Sequence, residues 1–114
     1  MPREYPDRAS VADMLEAAEL IRTFVAGLDR DDFLSDRKTQ SAVVMQLLIL
    51  GEAAKRISLD LLQRTAHVDW IEVMRTRDKL VHHYEGWDLV LIWKMTQKSV
   101  PQLREQLRAL LDQL

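Results

Sequence analysis

The chain has 114 residues, 47 % of them apolar and 30 % charged, with a net charge of -2 and no cysteine. That composition suits one globular domain, residues 1–114, with a real core. It excludes a disulfide framework, a thiolate metal site and a broadly basic nucleic-acid coat. Met1 to Arg8 carries no apolar signal region, and no apolar run approaches the roughly 20 residues of a membrane span. The expectation is a cytoplasmic protein with no membrane partner.

Every long segment reads as helix, and no run alternates as a strand would. The first helix is predicted to start at Ser10, an N-cap with Asp13 three residues on. Val11, Met14, Leu15, Ala18, Ile21 and Val25 then recur at helical spacing, and Gly27 ends the element. Asp29 to Arg37 reads as a charged, solvated connection whose Phe33 and Leu34 dip back onto the core. A second helix is expected from Lys38 to Ile57. Its middle, Ala42 to Leu50, is apolar nearly all round, so it is buried centrally or at a subunit interface. Gly51 within it costs about 1 kcal/mol relative to alanine, and the expected return is close approach of another helix. Glu52 follows directly.

Ser58 is expected to cap a short turn, Leu59 to Arg64. Asp69 caps the third helix with Glu72 at the capping-box position, and Gly86 stands as a C-terminal glycine beyond Tyr84. Asp88 caps a fourth helix, in which Pro101 should produce a kink or a restart. Leu103, Leu107, Leu110, Leu111 and Leu114 form an amphipathic stripe, and the three tryptophans read as packing. The fold expected is all-α, an antiparallel bundle of four to five helices.

The third helix holds the anomaly. At about 100° per residue, Trp70, Ile71, Val73, Met74, Leu80, Val81 and Tyr84 share one arc, with Arg77 in its middle. Arg75, Lys79, Glu72 and His83 fall opposite. A buried charge costs several kcal/mol unless it is paired or bound. Asp78 and His82 sit one turn apart at the arc's edge, so one helix end gathers a cation, an acid, an imidazole and a phenol. Histidine, with a reference pKa of about 6.5, suits proton transfer, and an arginine fork suits phosphate. Asp78, four residues before His82, is placed to orient the imidazole. His82 and His83 make a poor metal site, since neighbours on a helix point apart and no third ligand is evident.

Arg77, four residues, His82, one residue and Tyr84, with Gly51-Glu-Ala-Ala-Lys-Arg56 before them and Gly86-Trp-Asp88 after, resemble the HepT-type toxins of the HEPN (higher eukaryotes and prokaryotes nucleotide-binding) superfamily. The resemblance runs from about Val11 to Leu114. It implies a HEPN-like bundle that dimerises through the motif-bearing helices. It also implies a metal-independent endoribonuclease without cofactor, acting on RNA, with transfer RNA among the candidates. Its catalytic residues would be Arg77, His82 and Asp78, with Glu52 in support. The partner implied is a minimal nucleotidyltransferase antitoxin that neutralises the toxin by AMPylation of Tyr84.

Arg77 and His82 lie roughly 140° apart on an ideal helix. A twofold dimer would bring two copies of each into one groove. Two other readings stand beside the enzyme. One is a non-catalytic helical module that binds a nucleotide or a partner nucleotidyltransferase. The other is a structural dimer in which Arg77 pairs fully within its own subunit, with Glu52 or Asp78.

Overall fold

The structure, a computed structural model, describes residues 5–114. Residues 1–4 of the segment read for a leader therefore lie outside the described part. Seven helices follow in order: α1 (Asp7–Val25), α2 (Arg30–Leu34), α3 (Arg37–Lys55), α4 (Leu59–Arg64), α5 (Trp70–His82), α6 (Leu89–Gln97) and α7 (Ser99–Asp112). The long elements form the expected all-α bundle. α2, α4 and the division between α6 and α7 account for the higher count.

α1 begins a turn earlier than expected. Pro6 takes the N-cap position, and Ser10 lies inside the helix, fully buried, its hydroxyl without a hydrogen-bond partner. The start is tied down instead by Asp7, whose carboxylate accepts from the Ser58 N–H (2.9 Å) and hydroxyl (2.5 Å). These bonds put the end of α3 beside the start of α1. Arg8 Nη1 donates to the carbonyls of Leu111 and Leu114, which puts the end of α7 there too. α1 is thus antiparallel to both neighbours. Gly27, at φ +79°, ends α1 in the left-handed region glycine tolerates.

The acidic connection is not merely a solvated loop. Asp29 and Asp32 close a reciprocal capping box around α2, which drives Phe33 fully into the core against Trp93. Ser58 and Asp88 cap α4 and α6, accepting from the N–H groups of Leu61 and Leu91. α6 stops at Gln97 and α7 restarts at Ser99, so Pro101 falls in the first turn of a new helix, where its missing N–H costs little. Leu103, Leu107 and Leu110 are buried, while Leu111 is half-buried and Leu114 exposed.

The apolar middle of α3 divides into two sides. Val43, Val44, Leu47 and Leu50 are in the core, but Met45 (54 % exposed) and Ile49 face out. α5 packs chiefly on α3. Its buried seam runs through Trp70, Thr76 and Leu80, flanked by half-buried Val73, Met74 and Arg77. Ile71, Val81 and Tyr84, assigned to the same arc from sequence, are exposed instead. The seam is narrower than the apolar arc because a single helix, α3, covers it.

Candidate active site

Gly51 fixes the placement of Arg77. A Cβ at Gly51 would stand 2.1 Å from Arg77 Cβ and 3.2 Å from the Val73 carbonyl oxygen. The glycine therefore returns its helix-propensity cost as close approach of α5, as the sequence suggested. With the backbones that near, Arg77 reaches back along α3 and its Nη2 meets Glu52 Oε1 at 2.6 Å. Nη1 lies 3.1 Å from Asp78 Oδ1. The side chain is only 26 % exposed, and its Nε is buried with no acceptor. Both guanidinium arms are thus paired within the subunit, as the structural-dimer reading expects, and Nε alone has no acceptor. Two carboxylates satisfy most of the cost of covering this charge.

Asp78 is shared. Lys55 Nζ stands 2.6 Å from the same Oδ1. The hydrogen bond from Lys55, and then that from Arg77, hold the Asp78 carboxyl below the usual carboxylate range.

The structure corrects one assignment. The Asp78 carboxylate does not orient His82; the Asp78 backbone carbonyl does, 2.8 Å from His82 Nδ1. A carbonyl only accepts, so Nδ1 carries a proton and Nε2 is the ring nitrogen left for chemistry. The carboxylate is turned instead toward the two cations. His82 itself is exposed at the last residue of α5.

Gly86 does not terminate α5. His83 is the C-cap, its N–H donating to the Lys79 carbonyl, and Gly27 alone among the described glycines has a positive φ. The Trp87 indole takes over part of the capping work, donating to the Leu80 carbonyl at 3.1 Å. It pins the turn that carries Tyr84, which is 76 % exposed. This bond was not foreseen; the only signal was a tryptophan just past a helix end.

His82 and Tyr84 lie on open surface, with Arg77 and Asp78 half-buried beside them. An apolar cleft of about 220 Å³ runs between α3, α5 and α7, lined by Leu47, Leu50, Val73, Thr76, Val100 and Leu103 among others, and no motif residue lines it. A surface site suits a polymer better than a small molecule. Among the described residues, no three His, Asp or Glu side chains stand together as a metal-holding group. Among the described residues no helix is long and apolar enough to cross a membrane.

The sequence profile of the family described as Ribonuclease HepT-like matches residues 14–110. The chain belongs to the HepT-like ribonuclease family. Its relatives agree. A Thermococcus cleftensis protein named "Probable ribonuclease HepT" is 40 % identical over 104 residues, covering 91 % of this chain and 93 % of that one. A Methanocaldococcus jannaschii protein whose name assigns it as an RNase is 39 % identical over 94 residues, 82 % of this chain and 78 % of that one. One from Caldanaerobacter subterraneus, also assigned as an RNase, is 32 % identical over 111 residues, covering 97 % and 95 %. No solved structure matches the chain. A HepT-like chain of this kind is an endoribonuclease by family.

Proposed function

We propose that this HepT-like ribonuclease is the metal-independent toxin of a two-component system, cutting RNA at a groove formed by the α5 ends of a homodimer. The observation that carries the reading is the pairing at one helix end of an anchored Arg77 with an exposed His82 whose Nε2 is left free. Cleavage without metal uses the ribose 2′-hydroxyl as nucleophile. The 2′-oxygen forms a bond to phosphorus while the bond to the 5′-oxygen breaks. His82 Nε2 takes the 2′-hydroxyl proton, and His82 of a second copy, protonated, returns one to the departing 5′-oxygen. Arg77, held from behind by Glu52, offers Nη1 to the charge that builds on the phosphorane oxygens. Positioning it in advance saves reorganisation at the moment of reaction.

Homodimerisation is supported by the exposed apolar side chains Met45 and Ile49 on α3 and Val81 on α5. They lie on the two helices that carry Glu52 and Arg77, so a second copy covering them would bring its own His82 near. AMPylation of Tyr84 by a cognate nucleotidyltransferase antitoxin is supported by the exposure of that phenol two residues beyond His82. A phosphodiester there adds negative charge and bulk beside the anion site and would repel an RNA phosphate.

The test is cleavage of total cellular RNA, with chelator present, by the purified chain unmodified on Tyr84 and by its His82→Ala twin. Cleavage by the parent and a loss of at least about 100-fold in the twin is the expected result. A folded dimer that binds RNA or the nucleotidyltransferase but never cuts would instead make the protein a binding module.

A further inference from the structure

The candidate site holds a cation that the proposed mechanism does not use. Lys55, the last residue of α3, places Nζ 2.6 Å from Asp78 Oδ1, and Arg77 Nη1 stands 3.1 Å from the same oxygen. Two cations from different helices thus converge on a single anionic oxygen. Glu52 occupies the other arm of Arg77, so Nη1 is the arm aimed at that point. The Asp78 carboxylate has no bond to His82, whose ring is held by the Asp78 backbone. Lys55 and Asp78 are 37 % and 45 % exposed, within reach of a polymer's backbone.

We infer that Asp78 Oδ1 marks a phosphodiester subsite, with Lys55 as a second phosphate-binding cation beside Arg77, and that the Asp78 carboxylate keeps the place until RNA displaces it. The inference takes its substrate from the ribonuclease reading above. A non-bridging phosphate oxygen carries the same sign of charge as Oδ1 and accepts the same charge-assisted hydrogen bonds. Without the carboxylate, Lys55 and Arg77 would face one another as like charges in the free enzyme. With it, they stay together and lose the carboxylate only when a stronger anion arrives. Arginine supplies the planar fork and lysine a mobile point charge, a division that lets the lysine follow the phosphate as the carboxylate swings away.

A surface ion pair that merely braces α3 against α5 forecasts for Asp78→Asn only the small gain of one removed negative charge, undiminished when Lys55 is also replaced, so the double variant decides the test. A fluorescent all-2′-deoxy oligonucleotide, which lacks the nucleophile, is titrated against the parent, Lys55→Gln, Asp78→Asn and the double variant over a salt series. RNA cleavage by the parent is measured alongside. Lys55→Gln is expected to weaken binding about tenfold and to reduce the salt slope by about one. On RNA the same variant should raise KM more than it lowers kcat. Asp78→Asn is expected to tighten binding several-fold, and most of that gain should vanish in the double variant. Binding by Asp78→Asn no tighter than the parent's, a gain undiminished in the double variant, an unchanged slope in Lys55→Gln, or no binding by the parent would each overturn the subsite. The expected shifts in a parent that cuts no RNA would support the anion subsite and sink the ribonuclease reading. Cleavage with none of the shifts would do the reverse.

Discussion

Replacing Gly51 by alanine tests the contact on which the site is built. The new Cβ would stand 2.1 Å from Arg77 Cβ, against an ordinary carbon contact beginning near 3.5 Å, so the helices must part by about 1.4 Å. No rotamer relieves this, because Arg77 Cβ is bonded directly to the α5 backbone, and the Val73 carbonyl 3.2 Å away is backbone as well. Overpacking of this kind costs about 1–3 kcal/mol, and alanine recovers about 1 kcal/mol of helix propensity. The expected net loss is about 0–2 kcal/mol, toward the upper end because backbone rather than a side-chain tip must move, at roughly 4 °C of Tm per kcal/mol for a chain of this size. Gly86→Ala is the control, since a Cβ there meets nothing within 4 Å. Its stability should stay within about 0.5 kcal/mol of the parent's. Denaturant melts of both variants give the stability, and RNA cleavage gives the site. Separation of α3 from α5 also draws Arg77 away from Glu52, so activity should fall further than stability. A Gly51→Ala protein as stable and as active as Gly86→Ala would refute the helix contact and the role drawn from it.

Arg77→Lys keeps a charge but loses the fork that now spans Glu52 at 2.6 Å and Asp78 at 3.1 Å. Cleavage should drop about 100-fold or more while the thermal melt moves little, and parent-like kcat would count against Arg77. Trp87→Phe removes the hydrogen bond to the Leu80 carbonyl at a cost of about 1 kcal/mol. Amide hydrogen exchange should quicken at residues 81–86, and unchanged exchange would show that the indole does not pin the turn. Asp78 has its carboxyl pKa lowered in the folded state by Lys55 and Arg77. Its contribution to stability is then complete above its unfolded value of about 3.9 and is lost as pH falls through the lower folded value. The Tm difference between parent and Asp78→Asn should accordingly be flat above about pH 5 and close below about pH 4. A difference that closes near neutrality would mean another group is responsible.

What could be read from sequence followed the strength of local signals. Asp69, Asp88 and Ser58 were legible as caps because a short polar side chain before an apolar run has one good use. Gly27 was legible for the same reason at a helix end, and Gly51 because a glycine in a helix demands a neighbour. Ser10 misled, since Pro6 and Asp7 could start the helix earlier once Ser58, 51 residues on, supplied the donors to Asp7. No local pattern encodes such a pair. The apolar arc of α5 overstated burial at Ile71, Val81 and Tyr84 because periodicity reports which residues share a face, not how wide a neighbour covers it. In the site, the Arg77–Glu52 pair was foreseeable from a buried cation and a lone acid on an apolar helix. The turning of the Asp78 carboxylate toward Lys55 was not. It depends on a lysine from another helix and on a backbone carbonyl satisfying His82 instead.

Several departures from ordinary helix design fall on α3 and α5, and two of them meet. A glycine interrupts α3 at 51. An arginine occupies the seam of α5 at 77 with one nitrogen orphaned. Met45, Ile49, Ile71 and Val81 leave apolar surface uncovered on the same two helices. Each costs stability taken alone. Others lie elsewhere, Ser10 buried without a partner on α1 and Arg104 with an unpaired buried Nε on α7, but Gly51 and Arg77 meet directly across α3 and α5. Local rules are broken at functional sites, where the loss is returned as chemistry. Gly51 brings Arg77 within reach of Glu52, the other guanidinium arm meets Asp78, and the helix ends one turn later with His82 exposed. A bundle built only for stability could keep the close approach of α3 and α5 at Gly51, but it would place an apolar residue rather than a charge at 77.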